Sequence, residues 1–258
     1  MMGTMPHHLY ERLQMIALET ARELPLPALY AEHASLIRGA DERLRTHELV
    51  RSIRASMDES ALECAHGMCH CEAVARDAGA LVAIEGPARG LGAGDISALS
   101  LTASIAGLLH DIKRREQNHA LLGSIEAEKI LSAAGMDSCH RGYVATAIRN
   151  HEAFKEFHDP DDKAGRLVSD ALYDADKLRW GPENFTTTLW LMVEANSTSP
   201  ESLHRSFREK MKGIERIKET FRTAAGRRYG PEFIDQGIHI GNIIYQELST
   251  ALDRRAAT

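Results

Sequence analysis

The sequence predicts an all-α fold, and three observations support that prediction. Apolar residues recur at helical spacing in one segment after another, as at Leu101, Ile105 and Leu108. Proline and glycine mark the ends of these segments, for example in the LPLP stretch at 24–27 and at Gly135. No segment has the alternating pattern of a strand, and we find no internal repeat or low-complexity tract.

The first half of the chain predicts four helical segments. Two lie on either side of the prolines, at about 7–23 and 28–57. A capping-box sequence at Ser60 to Glu63 predicts the start of a third helix, which runs to about Ala78. The Gly-rich stretch 85–95 is predicted to be a linker, because no strand precedes it and no GK[ST] follows, as a phosphate-binding loop requires. The fourth helix, 101–116, contains His110 and Asp111 near its end.

The second half predicts further helices separated by short connections. One runs through Ile125 and stops at Gly135, and the next carries an apolar stripe that ends on His151. A charged, proline-containing loop at 151–163 follows, and then a helix around Leu172 with Asp176 one turn later. The last helices are predicted to begin at Pro182, at about 201 and at Pro231.

Length and composition predict a single cytoplasmic domain that covers residues 1–258. The chain is long enough to bury one large core. Its net charge of −6 gives no electrostatic reason to expect a nucleic acid polymer or an anionic membrane as a partner. No apolar run approaches the ~20 residues that span a bilayer, and the first residues lack the features of a signal peptide. Cys64, Cys69 and Cys71 are predicted to be buried, reduced thiols, with a redox-sensitive site as the alternative.

The adjacent pair His110-Asp111 follows an apolar helix, and it is the first sign of a metal site. A buried carboxylate costs several kcal/mol unless it is paired or bound to a cation. Other helices that are predicted to face the core supply further ligand side chains: His70, His119, His151 and Asp176. A mixed set of imidazoles and carboxylates without thiolate suits Fe, Mn, Co, Ni or Zn, and is typical of a catalytic site.

The order H…HD…D resembles the HD-domain superfamily of metal-dependent phosphohydrolases. The resemblance rests on three stretches, HCEAVARDA with His70, LLHDIKRRE with the doublet, and DADKL with Asp176, and it covers about residues 60–180. It implies a helical bundle with its metal-binding core at 58–180, N-terminal helices at 1–57 and C-terminal helices at 181–258. One divalent metal ion would be held by four residues: His70, His110, Asp111 and Asp176.

Two of these assignments have alternatives. In the DAD motif the second aspartate is usually the ligand, so that Asp174 would lie beside the substrate, but the roles of Asp174 and Asp176 could be exchanged. His66 competes with His70, because histidines at positions i and i+4 of a helix can chelate one ion. The match to HCEAVARDA favours His70.

Some branches of the superfamily hold a second metal ion with two more histidines after the doublet. His119 and His151 lie where those ligands would fall, and Asp111 would then bridge the two ions. With a single ion, the two histidines would be available for proton transfer or phosphate contact. The GYP signature of the cyclic-dinucleotide phosphodiesterase branch and the synthetase segment of stringent-response enzymes are missing from this sequence.

The resemblance implies hydrolysis of a phosphate ester of a nucleotide or a related small metabolite. The expected catalytic residues are Asp111, Lys177 and His119. The expected substrate-binding residues are Lys113, Arg114, Arg115, Arg149, Asp174 and Lys177. For the basic run 113–115 a solvated helix end is the alternative.

Two other functions are compatible with the same residues. One is a di-iron oxygenase of the same superfamily, acting on an inositol or phosphonate substrate, and the other is an HD module that regulates without turnover. A stripe of Phe207, Met211, Ile214 and Phe221 would cover either the core or a second subunit, which leaves a homo-oligomer as an alternative.

Overall fold

The computed structural model describes residues 5–57, 67–160 and 162–256. Every regular element within these ranges is helical, which confirms the all-α prediction. The first α-helices are α1 Met5–Glu23, α2 Ala28–Glu32, α3 Ala34–Thr46, α4 Glu48–Ser56, α5 Met68–Glu85 and α6 Ala93–Leu109. They are followed by α7 His119–Ala133, α8 Ser138–Arg149, α9 Lys163–Leu178, α10 Leu189–Ala195, α11 Pro200–Arg216 and α12 Ala224–Ala256. Short 3-10 turns cover Pro87–Arg89 and Ile217–Glu219, and a π-helical segment covers Asn184–Thr188.

Helices α5 to α9 form the centre of the molecule. Each of α5, α6 and α8 packs against α9, and α5 also packs along α6. Helix α6 is buried on all sides over its last turns, as its almost uniformly apolar sequence requires. Gly107 allows α6 to approach α5 closely, because a Cβ atom at Gly107 would lie 2.5 Å from the Ala75 Cα. This close contact holds the end of α6 against the first turns of α5.

The outer helices cover this centre. Helix α12 packs against α1, α9 and α11, and α3 packs against α5. Phe207, Ile214 and Phe221 are buried, so the apolar stripe covers the core of the same chain. Among the described helices, none combines the length and apolar character needed to cross a bilayer.

Several predicted boundaries were wrong. The predicted helix 28–57 is three helices, and the last break is stabilised by the His47 ring, whose Nδ1 accepts a hydrogen bond from the Leu49 N–H at 3.3 Å. The helix predicted to start at Pro182 does begin there, and its next residues form the π-helical segment. The capping box at 60–63 lies outside the described residues, and the described part of α5 begins at Met68.

The last helix also begins earlier than predicted. Helix α12 starts at Ala224, and Pro231 lies inside it. The preceding Gly230 resembles a helix stop in sequence, but a Cβ atom there would lie 2.3 Å from the Phe221 ring. This glycine therefore permits close packing instead of ending a helix.

The cysteines follow the prediction only in part. Cys71 is buried, and burial raises the pKa of its thiol. Cys69, two positions earlier on α5, is exposed, because residues two positions apart on a helix lie on different sides of it. Cys64 lies outside the described residues.

Candidate metal centre

Six side chains from five elements converge inside the central bundle. Helix α5 contributes one, the residues just after α6 contribute two, the first residue of α7 one, the residue after the α8 C-cap one, and α9 one. They are His70, His110, Asp111, His119, His151 and Asp176. All are buried except His119, whose side chain is 11% exposed. The sequence-predicted ligands are thus brought together in one place.

Three of these residues form what we call the first set, which consists of His70, His110 and Asp176. The Nε2 atoms of the two histidines are 3.3 Å apart. The Asp176 Oδ1 atom lies 3.5 Å from His70 Nε2 and 3.9 Å from His110 Nε2. One ligand atom from each residue therefore faces the same small volume.

The second set consists of Asp111, His119 and His151. The Nε2 atoms of its two histidines are also 3.3 Å apart. Asp111 Oδ1 lies 3.5 Å from His151 Nε2 and 3.8 Å from His119 Nε2. The other oxygen, Oδ2, lies 3.5 Å from His110 Nε2, so the Asp111 carboxylate connects the two sets.

Backbone carbonyls orient one histidine of each set. His110 Nδ1 lies 2.7 Å from the Gly107 carbonyl oxygen, and His151 Nδ1 lies 2.6 Å from that of Ile148. A carbonyl oxygen can only accept, so each Nδ1 must carry the proton. In the neutral rings the Nε2 lone pairs therefore point into the centre, as they do in histidines that bind metal ions.

Asp111 supplies the test of whether a cation fits these residues. Its Oδ1 atom is buried and accepts no hydrogen bond of normal geometry from the described residues. Burial alone would raise the pKa of Asp111, but neighbouring histidines and Arg114 hold it far below its usual range, so the carboxylate is ionised. A buried ionised oxygen without a donor, facing two imidazole lone pairs, fits a metal ion.

Comparisons with protein-family models, curated proteins and solved structures found no match. The geometry of the two sets is therefore what indicates a metal ion. Either set could hold an ion, and the geometry leaves the identity of that ion open.

The structure distinguishes between the two aspartates of the DAD motif. Asp174 accepts hydrogen bonds from the Arg222 and Thr223 backbone N–H groups, at 2.8 and 2.7 Å, and from Thr223 Oγ1 at 2.7 Å. Both of its oxygens thus stabilise the chain just before α12. Burial raises the pKa of Asp174 to about 7. The prediction that Asp174 contacts the substrate is wrong, because both of its oxygens bind residues 222 and 223. Asp176 is the aspartate that faces the centre.

The predicted basic residues differ in how they are placed. Lys177 is buried, and its Nζ donates to Asp176 Oδ2 at 2.5 Å, so it fixes the orientation of that carboxylate. Arg114 donates from Nη1 to His119 Nε2 at 2.9 Å. Lys113 is half-buried, whereas Arg115 and Arg149 are exposed. Contact of these three with a substrate remains a prediction.

A carboxylate that the sequence did not predict lies behind His70. Glu183 Oε1 lies 3.9 Å from His70 Nδ1, on the side of the ring that faces away from the first set. Arg179 orients Glu183 by donating to its Oε2 at 2.9 Å, and also donates to Asp77 Oδ2 at 2.5 Å. Glu183 follows the segment that resembles the HD superfamily, so no motif pointed to it. The competitor His66 lies outside the described residues.

Replacing Glu183 with glutamine is expected to weaken binding of a metal ion to the first set by about 10- to 100-fold. The carboxylate favours the His70 tautomer that carries its proton on Nδ1, and losing such a partner typically costs that much affinity. The measurement is a titration with Mn²⁺ or Zn²⁺ followed by calorimetry.

Glu232→Gln is the matched control, because the Glu232 carboxylate accepts a hydrogen bond from the Ala28 N–H instead of facing His70. Equal affinities in both variants would show that Glu183 does not position His70.

Proposed function

We propose that this chain is an HD-type metal-dependent phosphohydrolase that hydrolyses a phosphate ester of a nucleotide or a related small metabolite. The observation that carries the proposal is the Asp111 carboxylate, whose two oxygens face two separate histidine-containing sets. The adjacent pair His110-Asp111, which motivated the resemblance, is thus the link between the sets. This arrangement supports a bridged pair of ions.

Divalent ions at such a site would supply hydroxide from water at neutral pH and polarise a phosphoryl oxygen. The protein would contribute by holding the side chains that bind the ions in fixed positions. The Gly107 and Ile148 carbonyls hold two imidazoles in place, and Lys177 holds Asp176. Such preorganisation matters because phosphoryl transfer needs positioning and charge stabilisation more than covalent chemistry.

A di-iron oxygenase is the second candidate, and the completeness of the second set favours it. All three residues of that set are in place for a second ion. An oxygenase consumes oxygen, whereas a phosphohydrolase does not. Oxygen uptake therefore separates the two functions. A catalytically silent module would show neither activity.

The test is elemental analysis of protein purified without chelators or an affinity tag, followed by a phosphatase assay on a panel of nucleotides. We expect up to two ions per chain and phosphate release that depends on added Mn, Co or Ni. Iron in the protein together with oxygen uptake and no phosphate release would replace the hydrolase with the oxygenase. Absence of bound metal and of turnover would contradict both.

Metal binding to the first set is expected to release about one proton at pH 7. Burial opposes protonation of His70, but Asp176 and Glu183 outweigh it and raise the pKa of His70 to about 9. Burial lowers the pKa of His110 to about 4, so that His110 is neutral and can accept the proton that His70 donates. In the metal-free protein a proton thus lies among the three ligands.

The sign of the pH dependence follows from the raised pKa of His70. The interaction stabilises the metal-free protein fully below pH 6.5, and this stability is lost as the pH rises through 9. Metal affinity should therefore increase by up to about tenfold per pH unit until pH 9 is reached. Calorimetry in two buffers of different ionisation enthalpy counts the protons. A first equivalent of metal that binds at pH 7 without proton release would contradict the expectation.

A further inference from the structure

Arg222, which precedes α12, lies beside the candidate metal centre. Its guanidinium carbon is 3.5 Å from the centroid of the Tyr173 ring, and the Lys177 Nζ lies 5.0 Å from the same centroid. Its Nη1 donates to the Asn150 carbonyl oxygen at 3.0 Å. Asn150 precedes the ligand His151, and Lys177 is bound to the ligand Asp176. The guanidinium thus contacts Asn150, which precedes His151 of the second set, and is connected to the first set through Tyr173 and Lys177.

In the part of the chain that the structure describes, the charge of Arg222 is compensated only at a distance, by Asp170 and Asp174. No carboxylate there forms an ion pair with its guanidinium, and one of its five N–H donors has an acceptor. Its backbone N–H binds Asp174, whose two oxygens accept three hydrogen bonds from residues 222 and 223. Burial lowers the pKa of Arg222, although Tyr173, Asp170 and Asp174 act in the opposite direction.

Arg166 lies near the same aromatic ring as Arg222 but differs from it in its ion pairs. Its guanidinium carbon lies 4.4 Å from the centroid of the Phe157 ring, and that of Arg222 lies 5.0 Å from the same ring. Unlike Arg222, Arg166 is paired with Asp170 at 3.0 Å and with Asp159 at 3.1 Å. Two arginines therefore share one aromatic ring, but of the two only Arg166 forms direct ion pairs with described carboxylates.

We infer that Arg222 binds an oxyanion of the substrate at the edge of the metal centre. The Tyr173 and Phe157 rings hold the guanidinium plane, and its remaining donors match the oxygens of a phosphate or carboxylate group. The neighbouring Lys177 already pairs with Asp176, whereas the Arg222 guanidinium forms no direct ion pair with a described carboxylate. The identity of the oxyanion as part of the substrate rests on the proposed function. The affinity of Arg222 for an oxyanion does not depend on the proposed function.

The experiment is a calorimetric titration of the metal-loaded protein with inorganic phosphate, and separately with acetate. Arg222→Met is expected to weaken phosphate binding about tenfold or more, because a hydrogen-bonded charge is lost. Arg166→Met is the matched control and should change the affinity less than about twofold. Arg222→Lys should be intermediate, since it keeps the charge but loses the planar donor fork. Metal content and thermal stability are measured for every variant.

Several results would overturn the inference: wild-type protein that binds neither anion, equal loss in the Met variants of Arg222 and Arg166, or unchanged affinity in Arg222→Met. If Arg222→Met does not fold, the test is the anion affinity of Arg222→Lys. An affinity equal to that of the wild-type protein would overturn the inference. Selective loss of phosphate binding identifies a phosphate subsite, and selective loss of acetate binding identifies a carboxylate subsite. Loss of anion binding in Arg222→Met without hydrolysis of any nucleotide by wild-type protein would refute the hydrolase and leave the oxyanion site standing.

Discussion

Replacing Asp111 with alanine is expected to remove both metal ions and to reduce metal-dependent hydrolysis at least about 1000-fold, which corresponds to about 4 kcal/mol of transition-state stabilisation. The reason is that Oδ1 faces the second set and Oδ2 faces His110 of the first set. No other residue of the six contributes an atom to both. The measurements are metal content per chain and the rate of phosphate release.

The control for this substitution is Asp170→Asn. Asp170 is also a buried carboxylate, but it pairs with Arg166 instead of facing the histidines. This variant should keep its metal and its activity, and both variants should retain a helical circular dichroism spectrum. Full metal occupancy in folded Asp111→Ala would show that the site has been assigned to the wrong residues.

Replacing His119 with alanine is expected to lower the metal content from two ions per chain to one. His119 Nε2 lies 3.3 Å from His151 Nε2 and takes part in the second set alone. The first set should keep its ion, because none of its three residues is altered. Elemental analysis after dialysis against a limiting chelator measures the effect.

His70→Ala is the corresponding variant for the first set, to which His70 belongs. It should also retain one ion, and the two variants should differ in which set holds it. Spectra of bound Co²⁺ report that difference, since an ion in the first set would meet the Asp176 carboxylate and also that of Asp111, whereas an ion in the second set would meet Asp111 alone. Two ions retained by His119→Ala would exclude His119 as a ligand.

The sequence could predict the helices and the candidate ligands, but not how those side chains come together. Helical periodicity depends on local spacing, which is why α6 and the residues after it were recognised. The convergence of His70 and His110 depends on the close approach of α5 and α6 at Gly107, which no local pattern reveals. The same holds for Pro231, where packing against Phe221 explains a glycine that resembles a helix end.

The ambiguity between Asp174 and Asp176 shows the same limit. Residues two positions apart point to different sides of a helix, so only one of these two aspartates can face the centre. The choice is determined by residues 222 and 223, whose N–H groups bind Asp174. Glu183 and Arg222 could not be predicted for a related reason, because both follow the segment that carries the resemblance.

The contact between Arg114 and His119 has a consequence for how the protein acquires its ions. In the metal-free protein the guanidinium donates to His119 Nε2 at 2.9 Å and lies 3.9 Å from Asp111 Oδ1. A tethered cation thus contacts His119 at the edge of the second set and would compete with an ion there, whereas the first set holds a proton that can leave to solvent. We expect the two ions to bind in sequence. The first ion would replace the proton in the first set, whereas the second ion would bind only after the Arg114 side chain moves away from His119. The species with one ion is then a separate stage with its own lifetime.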